Sequence, residues 1–183
     1  MKALVVQAHP CIEESRVNKR WREELAKHPN DIEVHALYEE YPDWQIDIER
    51  EQRLLEAHAL IVWQFPLYWY SCPPLLKKWL DDVFTYGWAY GPAGTALHGK
   101  ELALAVSSGG SAENYTHSGS VHYGPHELLR PFQATSGLIG TRFITPFITA
   151  GTMDLTDEEL AERAQAYTAW LTAPDHPELG AFE

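Results

Sequence analysis

Apolar runs with strand character alternate with amphipathic helical patterns along almost the whole chain. Strands are predicted at 2–7, 32–37, 59–65, 101–108 and 142–150, and helices at 15–28, 47–58, 73–84 and 127–138. A last helix is predicted to begin after Thr156, because Thr156 and Glu159 have the spacing of a capping box. The stretch ALIVWQF (59–65) is apolar except for Gln64, as is typical of a strand covered on both faces. This alternation predicts a parallel sheet with helices on both faces.

Five such units in 183 residues favour a single α/β domain of three layers. The strands are expected in the flavodoxin-like order 2-1-3-4-5 rather than in a six-stranded dinucleotide-binding sheet. The domain is predicted to span 1–173, and the final stretch PDHPELGAFE (174–183) is predicted to be a loose tail. Pro131 is expected to kink or shorten the fourth helix, because proline lacks an N–H group.

The charge balance limits the class of ligand. A net charge of -12 argues against nucleic acid, which needs a basic face. An anionic cofactor is still compatible, since helix N-termini bind phosphate without lysine or arginine. The start, MKALVVQAHP, does not resemble a signal peptide, and no apolar stretch approaches the roughly 20 residues of a membrane span. A cytoplasmic protein is expected, with peripheral attachment to the inner face of the cell membrane left open. Cys11 and Cys72 form no CxxC pair and are predicted to have no role.

A ligand of an open α/β sheet lies beyond the carboxyl ends of the strands, beside the first strand. The loop AHPCIEES (8–15) brings Ser15 to the start of the first helix, with Asn18 one turn later. Together with free helix N–H groups, these side chains predict a phosphate cradle. Ser15 as a plain N-cap is the alternative. His9 ends the first strand and is either a phosphate ligand or a structural histidine.

Two further loops lie at the same edge. PLYWYSCPP (66–74) carries Tyr68, Trp69 and Tyr70, an apolar wall of the kind that an isoalloxazine ring needs. The alternative is a small core cluster under a long loop. Pro74 is predicted in the first turn of the next helix. In SSGGS (107–111), the glycines indicate either close approach of the backbone to a ligand or a tight turn at positive φ.

Other patterns are rejected as functional signals. GTALHGK (94–100) resembles a P-loop, but Glu101 replaces the required serine or threonine and a strand follows. Neither a G-x-S-x-G elbow nor a GxGxxG fingerprint occurs. His117, His122 and His126 have no partner at ligand spacing, so no metal site is predicted.

Longer stretches carry a family resemblance over nearly the whole chain, above all YWYSCPPLLKKWLD followed by YGWAYG, together with SRVNKR, YPDWQIDIEREQ and SSGGSAENY. The chain resembles the flavodoxin-like NAD(P)H:quinone oxidoreductases, nearest to the bacterial branch with the ancillary oxidoreductase of glutathione-gated potassium-efflux systems. The resemblance implies ping-pong hydride transfer from NAD(P)H through flavin N5 to a quinone or similar acceptor. It also implies a homodimer whose two active sites lie at the subunit interface. FMN is favoured over FAD, since so short a chain shows no dedicated adenine site, although relatives use both.

The resemblance also assigns roles to residues. Those assigned to the flavin phosphate and ribityl chain are His9, Ser15, Val17 and Asn18. Those assigned to the flavin ring are Pro66, Leu67, Tyr68, Trp69 and Tyr70, with Ser107, Ser108, Gly109 and Gly110 at its other polar edge. Tyr115 and His122 match the catalytic tyrosine and histidine over the reactive ring. SSGG stands where TTGG is usual, and YTHSGSVHYG is one residue longer than the mammalian-type pattern, which favours His122 over His117. A second hypothesis is a regulatory subunit that binds a potassium-efflux antiporter.

Overall fold

In a computed structural model that describes residues 2–180, the chain forms one sheet between two layers of helices. The strands are β1 (Ala3–Gln7), β2 (Ile32–Ala36), β3 (Leu60–Pro66), β4 (Glu101–Ser107), β5 (Arg142–Phe143) and β6 (Phe147–Thr149). The helices are α1 (Arg16–Leu25), α2 (Leu37–Glu40), α3 (Ile48–Glu56), α4 (Pro74–Val83), α5 (Pro125–Leu128), α6 (Arg130–Ile139) and α7 (Asp157–Leu171). The strand order is β2-β1-β3-β4-β5, with β6 also on β4, and the strand pairs are parallel. The predicted sheet order is confirmed.

Alternate residues of the central strands face opposite helix layers. Val5 and Val62 pack with Trp21 of α1 and Tyr167 of α7 in one buried cluster. Leu4, Ile61 and Trp63 pack on the other face, against α3, α4 and α6. A strand covered in this way is expected to be apolar at most positions, and in β3 the buried Gln64 is the polar exception. At α7, the predicted capping box is present: Glu159 N–H donates to Thr156 Oγ1, and Thr156 N–H donates to Glu159 Oε2.

Proline divides two of the predicted elements. The expected strand at 142–150 consists of β5 and β6, which both pair with β4 on either side of Pro146. Since proline has no N–H to donate to the ladder, pairing is interrupted there. The expected helix at 127–138 is likewise two helices, α5 and α6, separated at Leu129. Pro131 lies in the first turn of α6, where a missing N–H is tolerated.

The expected loose tail lies against the sheet edge as far as the structure describes it. Leu179 N–H donates to Phe143 O at 2.9 Å, and Thr145 N–H donates to Pro177 O at 2.9 Å. The His176 ring contacts Glu101 Oε2 at 3.1 Å and Trp170 O at 3.0 Å, and both His176 and Leu179 are buried. The prediction of a loose end is therefore corrected for 174–180, while 181–183 lie outside the described residues. The tail protects the backbone groups of the β5 edge.

We expect Leu179→Ala to lower the free energy of unfolding by about 2–3 kcal/mol, because it leaves a cavity in a core cluster. The matched control is Leu138→Ala in α6, where the side chain is 65% exposed and the change should stay within about 0.5 kcal/mol. Urea denaturation of both variants measures the difference. Equal, small effects would contradict packing of the tail into the core.

Among the helices in the described part of the chain, none is both long and apolar enough to cross a membrane.

Candidate functional site

The loops that follow β1, β3, β4 and β6 meet at the carboxyl edge of the sheet. Ala8 N–H donates to Gln64 O at 2.8 Å, which joins the first loop to β3. Leu67 N–H donates to Ser107 O at 2.8 Å, and Ser108 N–H donates to Thr149 O at 3.0 Å. The three loops expected to form a ligand site are therefore adjacent, with a fourth beside them.

The start of α1 has two backbone donors without a helical acceptor. Ser15 is the N-cap, and its Oγ accepts the N–H of Asn18 at 3.0 Å. Helix geometry leaves the N–H groups of Arg16 and Val17 without an intrahelical partner. The Ser15 hydroxyl still has its own proton to donate. N-cap and phosphate cradle are therefore compatible roles for Ser15, since three donors lie where the helix dipole favours an anion.

His9 adds a donor beside this helix end. Its Nδ1 accepts the N–H of Cys11 at 3.2 Å, so the ring proton of the neutral form is on Nε2. Burial lowers the pKa of His9, while Glu14 opposes this shift through its charge. A neutral imidazole with an Nε2 proton donates a hydrogen bond to a phosphate oxygen without adding charge.

A layer of buried polar side chains lies beneath the helix end. Asn18 is 1% exposed, and its Nδ2 donates to Ser107 Oγ at 2.9 Å, while Gln64 Nε2 donates to Asn18 Oδ1 at 3.4 Å. Within the described residues, Gln7 Nε2, Gln64 Oε1 and Thr149 Oγ1 are buried without a hydrogen-bond partner. The side chains of Asn18 and Ser107 therefore hold α1 on β4. Unpaired polar atoms so close to the cradle fit a site completed by water or a polar ligand.

The aromatic stretch is a tight two-residue turn. Tyr68 and Ser71 exchange backbone hydrogen bonds, each of 2.9 Å. Trp69 (φ 48°) and Tyr70 (φ 62°) occupy the left-handed region, which glycine normally supplies in such turns. Trp69 is 94% exposed, and Tyr68 and Tyr70 are 42% and 49% exposed. The core-cluster alternative is wrong, because these rings face outward from this chain. Strained non-glycine residues concentrate at functional sites.

Helix α4 fixes the far end of this turn. Pro73 is its N-cap residue and Pro74 its first residue, as predicted for Pro74. Proline has a fixed φ suited to this position, so the connection from the aromatic turn into α4 is stiff.

The Gly-Gly turn after β4 makes room for Tyr115. In the described chain, positive φ occurs at other glycines and not at Gly109 or Gly110. A Cβ on Gly110 would lie 3.1 Å from the Tyr115 ring and 3.2 Å from its hydroxyl. A side chain at position 110 would therefore push the Tyr115 ring away by a few tenths of an ångström, so the glycine permits the close approach of Tyr115. The Tyr115 ring also lines a small apolar cavity together with Leu67, Val106, Ser108, Pro125, Leu129 and Ile148.

The segment after Tyr115 carries His122 at its exposed end. Val121 N–H donates to Asn114 O at 3.1 Å, and His122 N–H donates to Gly119 O at 3.2 Å. A Cβ on Gly119 would lie 2.3 Å from Glu113 O, so the segment folds this tightly only with glycine at that position. His122 itself adopts φ 64°. The structure thus brings Tyr115 to the wall of the site, while His122 lies exposed farther along the same segment.

One loop of the site was missed by sequence reasoning. Gly151 N–H donates to Gly110 O at 2.7 Å, and Thr152 N–H donates to Ser108 O at 3.1 Å. Met153 is 77% exposed and lies 3.8 Å from the position of a Cβ on Gly109. Gly151, two residues after the end of β6, has φ 69°, and a glycine in this place was the available signal.

The observed sheet order fits a known protein family. The capped helix end after β1 and the aromatic turn after β3 are consistent with it. Residues 1–171 match the family described as having a flavodoxin-like fold. The chain belongs to this flavodoxin-like family.

Relatives of this chain include bacterial proteins of similar length. General stress protein 14 of Bacillus subtilis is 53% identical over 95% of this chain and 99% of its own. The NAD(P)H oxidoreductase YrkL of Bacillus subtilis is 50% identical over 94% of this chain and 99% of its own. KefF of Salmonella typhimurium is the ancillary protein of the glutathione-regulated potassium-efflux system. It is 45% identical over 93% of this chain and 95% of its own length. This supports the resemblance inferred from the sequence.

Solved structures agree in fold. The general stress protein 14 of Treponema denticola, in complex with FMN, is 45% identical with a TM-score of 0.91 over 93% of this chain and 98% of that one. An NADPH-quinone reductase from P. pentosaceus is 28% identical, with a TM-score of 0.87. The match covers 96% of this chain and 100% of that one.

Proposed function

We propose that this flavodoxin-like chain is an FMN-dependent NAD(P)H:quinone oxidoreductase. The observation that carries the proposal is the pairing of an anion cradle at Ser15 with an outward-facing aromatic turn at Trp69, on one rim of the sheet. The first suits a flavin phosphate and the second a flavin ring. The FMN complex of the Treponema denticola relative and the oxidoreductase and quinone reductase names of other relatives support it.

The proposed flavin contacts divide into three groups. The phosphate and ribityl chain are bound by His9, Ser15 and the backbone N–H group of Val17, with Asn18 supporting the helix end from below. The ring is lined by Pro66, Leu67, Tyr68, Trp69 and Tyr70. Its other edge meets Ser107, Ser108, Gly109 and Gly110. The Ser107 hydroxyl accepts from Asn18 Nδ2 and keeps its own proton to donate, whereas the Ser108 hydroxyl donates to Gly110 O.

Bound flavin supplies the hydride-accepting and hydride-donating chemistry. The protein's part is to hold two flat molecules in contact and to keep water away from them. Tyr115 has a hydroxyl beside Gly110, where it donates a hydrogen bond to a substrate oxygen. His122 holds or supplies the proton that a reduced acceptor requires. NAD(P)H and acceptor occupy the same face of the site in turn.

Steady-state kinetics test the proposed function. We expect purified protein to be yellow and to oxidise NAD(P)H only when a quinone is present, with parallel double-reciprocal lines when both substrates are varied. Protein that stays colourless after FMN is added, or intersecting lines, would contradict the proposal.

A homodimer with both sites at the subunit interface is part of this proposal. The exposed rings of Tyr68, Trp69 and Tyr70 support it, because a contiguous apolar surface of this kind marks an interaction site. Sedimentation equilibrium should give twice the mass of 20.8 kDa. A cytoplasmic location is also proposed, in keeping with NAD(P)H as co-substrate.

A second candidate function is that of an ancillary regulatory subunit of a potassium-efflux antiporter. The KefF relative, 45% identical over nearly its full length, favours it. Co-purification with a potassium-efflux antiporter of the same cell tests this function. It fails if the protein binds no such antiporter in detergent extracts, whatever its quinone reductase activity.

A further inference from the structure

Glu127, in α5, binds two points of the segment that carries His122. Its Oε2 accepts the N–H of Gly124 at 2.6 Å and contacts His117 Nε2 at 2.7 Å. Gly124 follows His122 by two residues and His117 precedes it by five. One carboxylate oxygen therefore closes the 117–124 segment around His122.

After the contacts of Glu127, a further contact involves the His122 ring itself. His122 Nδ1 lies 3.4 Å from the carbonyl oxygen of His117. A carbonyl oxygen only accepts, so Nδ1 must donate. The neutral His122 ring then has its proton on Nδ1 and a lone pair on Nε2, the nitrogen left to face a substrate. Which tautomer His122 adopts thus depends on where the His117 carbonyl is held.

We propose that Glu127 and His117 are positioning residues for His122: the contact between their side chains fixes the carbonyl that selects the Nδ1-protonated ring of His122. This inference rests on the proposed function, in which His122 serves the acceptor. His117 is 77% and Glu127 43% exposed, and an exposed contact of this kind alone holds a segment weakly. The Gly124 N–H on the same oxygen supplies the second attachment, and Pro125, the first residue of α5, stiffens the connection.

Nitrogen NMR of the histidine rings tests the positioning directly and without turnover. In the wild-type protein, the neutral His122 ring should be protonated mainly on Nδ1. Glu127→Ala should move it toward the Nε2-protonated form, and Glu113→Ala, an exposed glutamate of the same loop, should not. An Nε2-protonated ring in the wild type, or no change in Glu127→Ala, overturns the proposal. This measurement stands even if quinones are not the acceptor.

Rapid kinetics supply the second arm. Glu127→Ala should slow reoxidation of the reduced enzyme by quinone about three- to tenfold, with reduction by NAD(P)H and FMN affinity unchanged. In a His122→Asn background the same substitution should have no further effect, since Glu127 acts through His122. Additive losses, or parallel loss of FMN, indicate a structural role alone and overturn the proposal. If His122→Asn by itself leaves reoxidation unchanged, the role of His122 in the proposed function fails, and the NMR arm still decides the positioning.

Discussion

Glu51→Ala is expected to lower the free energy of unfolding by about 3–5 kcal/mol, because it removes the acceptor of a buried polar cluster. Glu51 is fully buried in α3. Its Oε1 accepts the hydroxyl of Tyr41 at 2.5 Å, and its Oε2 accepts the indole N–H of Trp79 at 2.8 Å and lies 2.9 Å from His35 Nε2. Three buried donors from three elements would lose their partner together.

The pKa of Glu51 shows how the cluster is balanced. Burial raises the pKa of this carboxyl, but the hydrogen bond and charge of His35, with the bonds from Tyr41 and Trp79, outweigh burial and hold it below its ordinary value.

The matched control is Glu49→Ala, two residues earlier on the exposed side of α3, which should change stability by less than about 0.5 kcal/mol. Urea denaturation at neutral pH measures the loss of stability in both variants. Similar small losses in both variants would show that the cluster contributes little.

Ser15→Asp is expected to abolish FMN binding while leaving the fold intact. Aspartate caps a helix as well as serine does, and its charge suits a helix N-terminus, so the stability of the flavin-free protein should be kept or slightly raised. A carboxylate near the phosphate would instead repel it. At about 4 Å and an effective dielectric constant of about 20, each pair of charges costs about 4 kcal/mol. We expect the Kd of FMN to rise at least about 100-fold.

Riboflavin and Ser15→Ala are the controls for this substitution. Riboflavin has no phosphate, so Ser15→Asp should not change its affinity. Ser15→Ala removes the cap and one hydrogen bond to the phosphate, at a cost of about 1 kcal/mol in stability and about tenfold in FMN affinity. Unchanged FMN affinity in Ser15→Asp, or equal loss of FMN and riboflavin, would contradict a phosphate cradle at this helix end.

Local patterns in the sequence predicted most of the fold. The largely apolar run of β3 and the Thr156 capping box each depend on neighbouring residues, and both are present as expected. The tail at 174–180 was misjudged because PDHPELG shows neither helical nor strand periodicity. The burial of Leu179 depends on a sheet edge formed more than 30 positions earlier. The same holds for Glu51, whose burial follows from partners in β2 and α4.

The site was predicted as a set of loops, but its detailed contacts were not. Ser15 and Trp69 were identified from their position after predicted strands. The left-handed turn at Trp69 and Tyr70 contains no glycine, so the sequence did not predict it. The contact of Gly110 with Tyr115 and that of Glu127 with His117 depend on how the 111–124 segment folds. Sequence spacing alone does not determine such contacts.

The central claim is that this edge of the sheet binds a flavin through its phosphate. Calorimetric titration of flavin-free wild-type protein with FMN and with riboflavin tests it most directly. The cradle predicts that FMN binds at least about 100-fold more tightly than riboflavin, as expected for several hydrogen bonds to a charged group. Equal affinities for the two flavins, or no binding of FMN, would contradict the claim.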